Sequence, residues 1–271
     1  MTDETQRLRD ARSYDGAARV YERVNAPRLF DAPARALVAA VAPSAQSRIL
    51  DVGCGTGAVS RAALAAARSA FVVAMDPSSD MLEAARRGGV ERVVAGSLPS
   101  LPFRDQSFDV VVSAFVLTHV DDADASLIEM ARLLRTGGCI GVSAWAAGDD
   151  EYFAAWSEVM GRYVDPDRMK HAGNVILPGE ARFSRPGALT DALRANGFDG
   201  IRAHDADFEF QLSVDEYIEG REVCASGRAL QTLLSDDEWR RFRADVRASL
   251  APRFPRGVSY TRRVLIATAH L

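Results

Sequence analysis

Lysine is nearly absent from this 271-residue chain: of its 33 basic residues, only Lys170 is one. The basic residues are outnumbered by 37 acidic ones, for a net charge of −4. A chain without a positive surplus has no field to hold a polyanion, so no nucleic acid is expected as a partner. Cysteine is scarce too. Cys54, Cys139 and Cys224 are odd in number, widely spaced and form no CxxC. That argues against a disulfide framework and for a reducing compartment. The histidines, His119, His171, His204 and His270, make no HxxxH pair, so no metal is expected. No apolar run approaches the roughly 20 residues that span a bilayer. The opening stretch MTDETQRLRDARSYDG is too polar for a secretion signal. The expectation is a cytoplasmic protein with no membrane partner.

What is present is an ordinary globular composition, 48% hydrophobic and 26% charged. Residues 1–45 read as a helical cap. In YDGAARVYERV, Tyr14, Ala18, Tyr21 and Val24 share one side, Pro27 interrupts the helix, and a second helix runs from Ala32 to Val41. From there strands and helices alternate. Strands are expected over 47–52, 70–75, 90–95, 107–114 and 139–145. Helices are expected over 58–67, 79–87 and 123–134, the last ended by TGG. The strands are continuous apolar runs, as in parallel sheets covered on both faces. After Trp145 come a helix (151–163), a long irregular stretch DPDRMKHAGNVILPGEARFSRPG, a helix (188–196) and a strand (200–210). Two or three short helices (213–250) and a last strand (259–269) complete the chain. The fold class is α/β: a doubly wound, mainly parallel seven-stranded Rossmann-like sheet, with a helical cap and a helical insertion before the last strand. Residues 46–146 would be the binding core and 147–271 the substrate side, within one domain overall.

One phrase concentrates the chemistry. ILDVGCGTGAVS, residues 49–60, puts three glycines on alternate positions where a strand opens into a helix. In an open α/β sheet, ligands bind there. Gly53, Gly55 and Ala58 also satisfy the dinucleotide pattern GxGxxA. However, Asp51 lies two residues before Gly53, where it would repel a pyrophosphate and suit an ammonium. Asp76 ends the next strand and can accept ribose hydroxyls. After the third strand comes Gly96-Ser97-Leu98, where a planar base can rest on Leu98. These features describe an amino acid joined to a nucleoside.

The combination resembles the class I S-adenosylmethionine-dependent methyltransferases, in the small-molecule, methyltransferase type 11/25-like branch. ILDVGCGTG is similar to the family's first motif and FVVAMDPSSDMLEAAR to its second. LPFRDQSFDVVVSAFVLTHV resembles the stretch through the fourth strand, and EMARLLRTGG the helix and turn after it. The resemblance covers residues 14–146. It implies S-adenosylmethionine as cofactor, S-adenosylhomocysteine as product, and methyl transfer to O, N or C of a small-molecule acceptor by in-line displacement. It further implies that Gly53, Cys54, Gly55 and Gly57 wrap the methionine part and that Asp51 holds its ammonium. Asp76 would take the ribose hydroxyls. Pro77 and Met81 would cover one adenine face and Leu98 the other, Ser113 and Ala114 would line the floor, and Tyr21 would act as a lid. Ser97 stands where the family has an acidic residue, and is a weaker acceptor.

Some readings stay open. His119, in VLTHV, is a candidate general base; a packing role competes. Tyr14 and Trp145 are candidate substrate contacts. Tyr152, Phe153, Trp156 and Tyr163 have the spacing of a buried helix face. Asp109 is read as structural. Arg168, Lys170, His171, Arg182 and Arg185 form a loose basic stretch, either an anion clamp or a solvated loop. Non-methylating use of the cofactor, by a cyclase, an isomerase or a regulatory protein, would need the same cofactor site. An NAD-dependent oxidoreductase fits less well, because of Asp51 and Gly57. The assembly state is open, a homodimer included.

Overall fold

Seven strands form one sheet in the computed structural model, which describes residues 3–148 and 151–271. They are β1 (Arg48–Val52), β2 (Phe71–Asp76), β3 (Val93–Ala95), β4 (Phe108–Ala114), β5 (Leu134–Trp145), β6 (Asp199–Leu212) and β7 (Val258–His270). Their order is β3-β2-β1-β4-β5-β7-β6. The first five are parallel, and β7 runs antiparallel to both β5 and β6. The expected strands are thus all present, in a mainly parallel sheet with an antiparallel end. The apolar runs of β1, β2 and β4 are covered on both faces. Most of β6 is exposed, as an edge strand permits.

The N-terminal helices are α1 (Asp3–Asp10), the single turn α2 (Ala18–Val20), a π-helix (Tyr21–Phe30) and α3 (Asp31–Val41). Residues 1–2, part of the expected cap, lie outside the described residues. Here the sequence expectation needs correction, because Pro27 does not interrupt the helix. It sits inside the π-helical segment, where bonds span five residues; the Asp31 N–H reaches the Ala26 carbonyl. The wider turn accommodates a residue that has no N–H to donate.

The helices α4 (Ala58–Ala66), α5 (Ser79–Arg87) and α6 (Ala123–Leu133) make the parallel crossovers. The TGG turn after α6 is also not as expected. Strand β5 already begins at Leu134, which pairs with Phe108, and the next pair is Val110 with Cys139. Thr136, Gly137 and Gly138 form a bulge inside the strand, with Gly137 at φ 75°. Asp109 beside it accepts from Arg48 N and Arg135 Nη1, both at 2.8 Å.

Four helices lie between β5 and β6: α7 (Glu151–Met160), α8 (Pro166–Ile176), α9 (Glu180–Phe183) and α10 (Ala188–Ala195). The stretch expected to be irregular therefore holds α8 and α9. Asp165 caps α8, its side chain accepting from the N–H groups of Asp167 and Arg168, and Pro166 is preset for the first turn. Three more helices separate β6 and β7: α11 (Val214–Val223), α12 (Ala225–Leu233) and α13 (Asp236–Arg253). Ser213 and Ser235 open α11 and α13 with reciprocal capping boxes.

Each sheet face carries a core. One packs α6 and α10 against Leu50, Val111 and Ile140. The other packs α3 and α4 against Ile49, Val72 and Val112. A further core lies off the parallel part of the sheet. It joins Leu8 and Val24 of the N-terminal helices to Trp156, Phe242 and Val246. Tyr152 and Trp156 are buried there, as expected of that helix face.

Candidate active site

Asp51 reaches the carboxyl end of β1 as part of a buried run and is 1% exposed. Its Oδ2 accepts a 2.6 Å hydrogen bond from Ser60 Oγ. Its Oδ1 is buried with no partner. Burial pushes its carboxyl up to about 7, against the hydrogen bond from Ser60. The glycine loop follows directly. Gly53 N and Cys54 N both donate to the Met75 carbonyl, at 2.8 and 2.9 Å. Gly53 is at φ 69°, and a Cβ on it would lie 2.4 Å from Val116 Cγ2. Gly55, at φ 52°, has open space where its Cβ would be.

Asp76 fastens the loop to the end of β2. Its Oδ2 accepts from Gly55 N at 2.8 Å and its Oδ1 from Ser78 N at 2.9 Å. Each oxygen keeps a lone pair free. Burial raises its pKa, against those two backbone bonds. Ser78 then caps α5, accepting from Met81 N, and donates to Asp15 Oδ1 at 2.6 Å.

The N-terminal segment closes the other side. Gly16 N donates to Asp80 Oδ2 at 2.7 Å. Arg12 pairs with both oxygens of Asp121, at 2.9 and 2.8 Å, and also donates to the Val175 carbonyl. A chain of rings lines this side. His119 meets Tyr14 at 5.6 Å, Tyr14 meets Tyr21 at 5.4 Å, Tyr21 stacks on Phe30 at 5.8 Å, and Phe30 meets Phe115 at 5.4 Å. Phe115 follows β4 at φ 62°, a conformation bulky residues rarely adopt.

Together these groups enclose a cavity of about 530 Å³, the size of a small-molecule site. Of the residues singled out from sequence, Tyr14, Tyr21, Asp51, Gly53, Cys54, Gly55, Asp76, Pro77, Met81, Ser97, Leu98, Ala114 and His119 line it. Three do not. Ser113 is fully buried below the floor, its Oγ donating to the Val52 carbonyl at 3.3 Å. Gly57, at φ 87°, caps α4, and a Cβ there would press on Val90 and Ala85. Trp145 stacks behind Phe115 at 4.5 Å and backs the wall instead. Sequence reasoning missed Arg12, Phe30, Phe115 and Val116. Arg12 and Phe30 reach the wall from the N-terminal segment, and no local pattern marks them.

His119 is pushed down to about 4, first by burial and then by the charges of Arg228 and Arg12. It is neutral at physiological pH, ready to accept a hydrogen bond but weak as a proton acceptor. The loose basic stretch is no open clamp, since Arg168 pairs with Glu4 and Arg182 with Asp124. Among the described residues, no group of three or more His, Cys, Asp or Glu side chains could hold a metal ion. No helix among them is long and apolar enough to cross a membrane.

Comparison with known proteins agrees with this geometry. Residues 50–142 match the family described as "Methyltransferase domain". A demethylmenaquinone methyltransferase of Thermobifida fusca is 43% identical over 110 residues, 38% of this chain and 46% of that protein. The chain thus spans less than half the length of that relative. The nocamycin O-methyltransferase of Saccharothrix syringae is 32% identical over 223 residues, 76% of this chain and 78% of that protein. The fold matches the Haemonchus contortus phosphoethanolamine N-methyltransferase 2 with a TM-score of 0.60 at 16% identity, over 100% of this chain and 60% of that one. A matched core together with a relative aligned along most of its length shows that the chain belongs to the class I S-adenosylmethionine-dependent methyltransferases.

Proposed function

We propose that this chain transfers the methyl group of S-adenosylmethionine to a small-molecule acceptor by in-line displacement. The observation that carries the reading is Asp51 Oδ1, a buried carboxylate oxygen with no partner, beside a glycine loop whose Gly55 leaves space open. A buried carboxylate of that kind suits an ammonium group. The donor set fits the whole cofactor. Asp51 would hold the ammonium, the loop from Gly53 to Gly55 the methionine chain and Asp76 the ribose hydroxyls. Met81, Pro77 and Leu98 would flank the adenine, with Ser97 at its edge.

When bound, S-adenosylmethionine supplies a methyl group already activated on a sulfonium. The protein's own contribution is then orientation and exclusion of water, worth about 7–11 kcal/mol in favourable cases. The aromatic wall of Tyr14, Tyr21, Phe30 and Phe115 excludes water and presents flat surfaces to an acceptor. His119, neutral, accepts a hydrogen bond from the acceptor and orients it. Residues 1–45 act as the cap and 46–146 hold the cofactor, while 147–271, expected as the substrate side, contribute no lining residue among those described and back the cap from outside, as where the Val175 carbonyl accepts from Arg12. All three cysteines are free, which supports the reading of a cytoplasmic enzyme.

The test supplies methyl-labelled S-adenosylmethionine and purified protein to a cell extract, which is afterwards split into small-molecule and macromolecular fractions. Protein-dependent label in a small molecule is the expected outcome. Label confined to macromolecules, or none despite measured cofactor binding, would overturn it.

A further inference from the structure

Asp51, the glycine loop and Asp76 occupy the cofactor side of the cavity, at the ends of β1 and β2. The opposite wall is left for the acceptor. Tyr14, Tyr21 and Phe30 come to it from the N-terminal segment, and Phe115, His119 and Val120 from the loop after β4. All but Val120 are rings, in unbroken contact from His119 to Phe115. Each ring keeps part of its surface accessible while lining the cavity. Flat apolar surface of that kind favours another flat ring.

The charges of this wall cancel. Among the described residues, the carboxyl and guanidinium groups lining the cavity belong to Arg12, Asp51, Asp76, Asp121 and Asp122. Arg12 holds both oxygens of Asp121. Asp122 stands on the exposed rim and caps α6, its Oδ1 accepting from Ala125 N at 2.8 Å. Burial keeps the Tyr14 and Tyr21 phenols un-ionised and His119 unprotonated. A carboxylate in this compartment would lose its water and meet no free cation, which is costly. A cluster of rings can instead cage an ammonium. Here one face of Tyr14 already carries the Arg228 guanidinium, 3.7 Å from the ring centroid and outside the cavity lining. A second cation on that ring would meet a like charge. The compartment suits neither ion.

His119 supplies the polar contact. Among the described residues no hydrogen bond reaches its ring, whose neighbour is the Tyr14 ring. A neutral imidazole offers one N–H and one lone pair. A hydroxyl can donate to that lone pair without carrying charge. An aliphatic amine is protonated near neutrality, and so falls with the cations.

We infer that the acceptor is an uncharged, flat ring carrying a hydroxyl, that this hydroxyl donates to His119, and that its oxygen takes the methyl group. This rests on the reading of the cavity as a methyltransferase site. It narrows the acceptor atom to oxygen and makes His119 a specificity-determining residue.

Four probes of one shape test it, all substituted at the same ring position: naphthol, its methyl ether, naphthoate and naphthylmethylammonium. Each is read by the melting temperature of the full chain with S-adenosylhomocysteine present. Naphthol is expected to raise it by about 3 °C at about ten times its Kd. Naphthoate and naphthylmethylammonium at the same concentration are expected to leave it unmoved. The ether is expected to bind about tenfold more weakly, because it cannot donate. His119→Phe keeps a ring and should erase that preference. A charged probe that matches or exceeds naphthol, or no response to any of the four, overturns the acceptor class. Equal affinity for naphthol and its ether overturns the contact with His119. Calorimetry with S-adenosylhomocysteine alone separates the two readings. Normal binding of that nucleoside beside either failure spares the cofactor site, whereas failure to bind it counts against the methyltransferase reading itself. If His119→Phe does not fold, the ranking of the four probes on the wild type decides.

Discussion

Asp51 is the residue whose environment does most to define the site. The unfolded chain ionises it near pH 3.9, at about the ordinary value for aspartate, whereas the folded, ligand-free protein holds its proton up to about 7. Between those values the folded state carries a proton that the unfolded state has lost. The stability of the ligand-free protein therefore falls as pH rises through that window, by up to about 4 kcal/mol. An ammonium group reverses the preference, because it favours the ionised form. S-adenosylhomocysteine should bind up to about tenfold tighter at pH 8 than at pH 6, with release of a proton. Calorimetry in buffers of different protonation enthalpy measures both, and Asp51→Asn should flatten the dependence. Affinity that is level across this range in the wild type would remove the ammonium assignment. At Asp76, hydrogen bonds to a charged group contribute about 1.5–3 kcal/mol each. Asp76→Ala should thus weaken binding of the same nucleoside by roughly 100-fold, as read by calorimetry. These two aspartates were legible because each ends an apolar strand at a fixed distance from the glycines. Arg12 was not: its place in the wall depends on the Val175 carbonyl, met across 163 positions of sequence.

Among the elements, the N-terminal segment is the one the site depends on and the least written in local pattern. Its helix faces were readable, but the π-helical stretch through Pro27 was not, because a proline signals a break and only tertiary packing overrides it. Asn25 within that stretch is buried against α11, its Nδ2 donating to the Gly220 carbonyl at 3.4 Å. Strand β5 shows the opposite case: TGG reads as a turn, yet pairing with β4 continues on both sides of it. Helix α8 was missed because its apolar residues are sparse, although Asp165-Pro166 is a start signal. Arg12 holds the N-terminal segment to the loop after β4 and to the end of α8. Its side chain is 22% exposed, so its bonds are only partly screened. Arg12→Ala should speed hydrogen exchange across residues 3–20 and weaken S-adenosylhomocysteine binding roughly tenfold. Faster exchange without loss of affinity would mean that this segment does not close the cofactor site.

Over the whole molecule, two bodies of packing share one sheet. The parallel half, β1 to β5 with its crossovers, carries the glycine loop and both aspartates. The other body gathers α1, α7, α8, α11, α12 and α13 around Trp156 and Phe242, both wholly buried. No residue of that second core lines the cavity. It reaches the site only through neighbours, such as Arg228 on α12 and the π-helix beside Val24. Phe242 packs against Trp156 at 5.1 Å and Trp239 at 5.5 Å. Phe242→Ala should cost about 3–5 kcal/mol and lower the melting temperature by roughly 10 °C. If the cofactor site belongs to the parallel half alone, the folded variant should still bind S-adenosylhomocysteine within about twofold of wild type. Its hydrogen exchange should quicken in α7, α12 and α13 and stay unchanged in β1, β2 and β4. A parallel loss of nucleoside affinity would instead show that the two cores act as one, and that the cap and the glycine loop are set by the same packing.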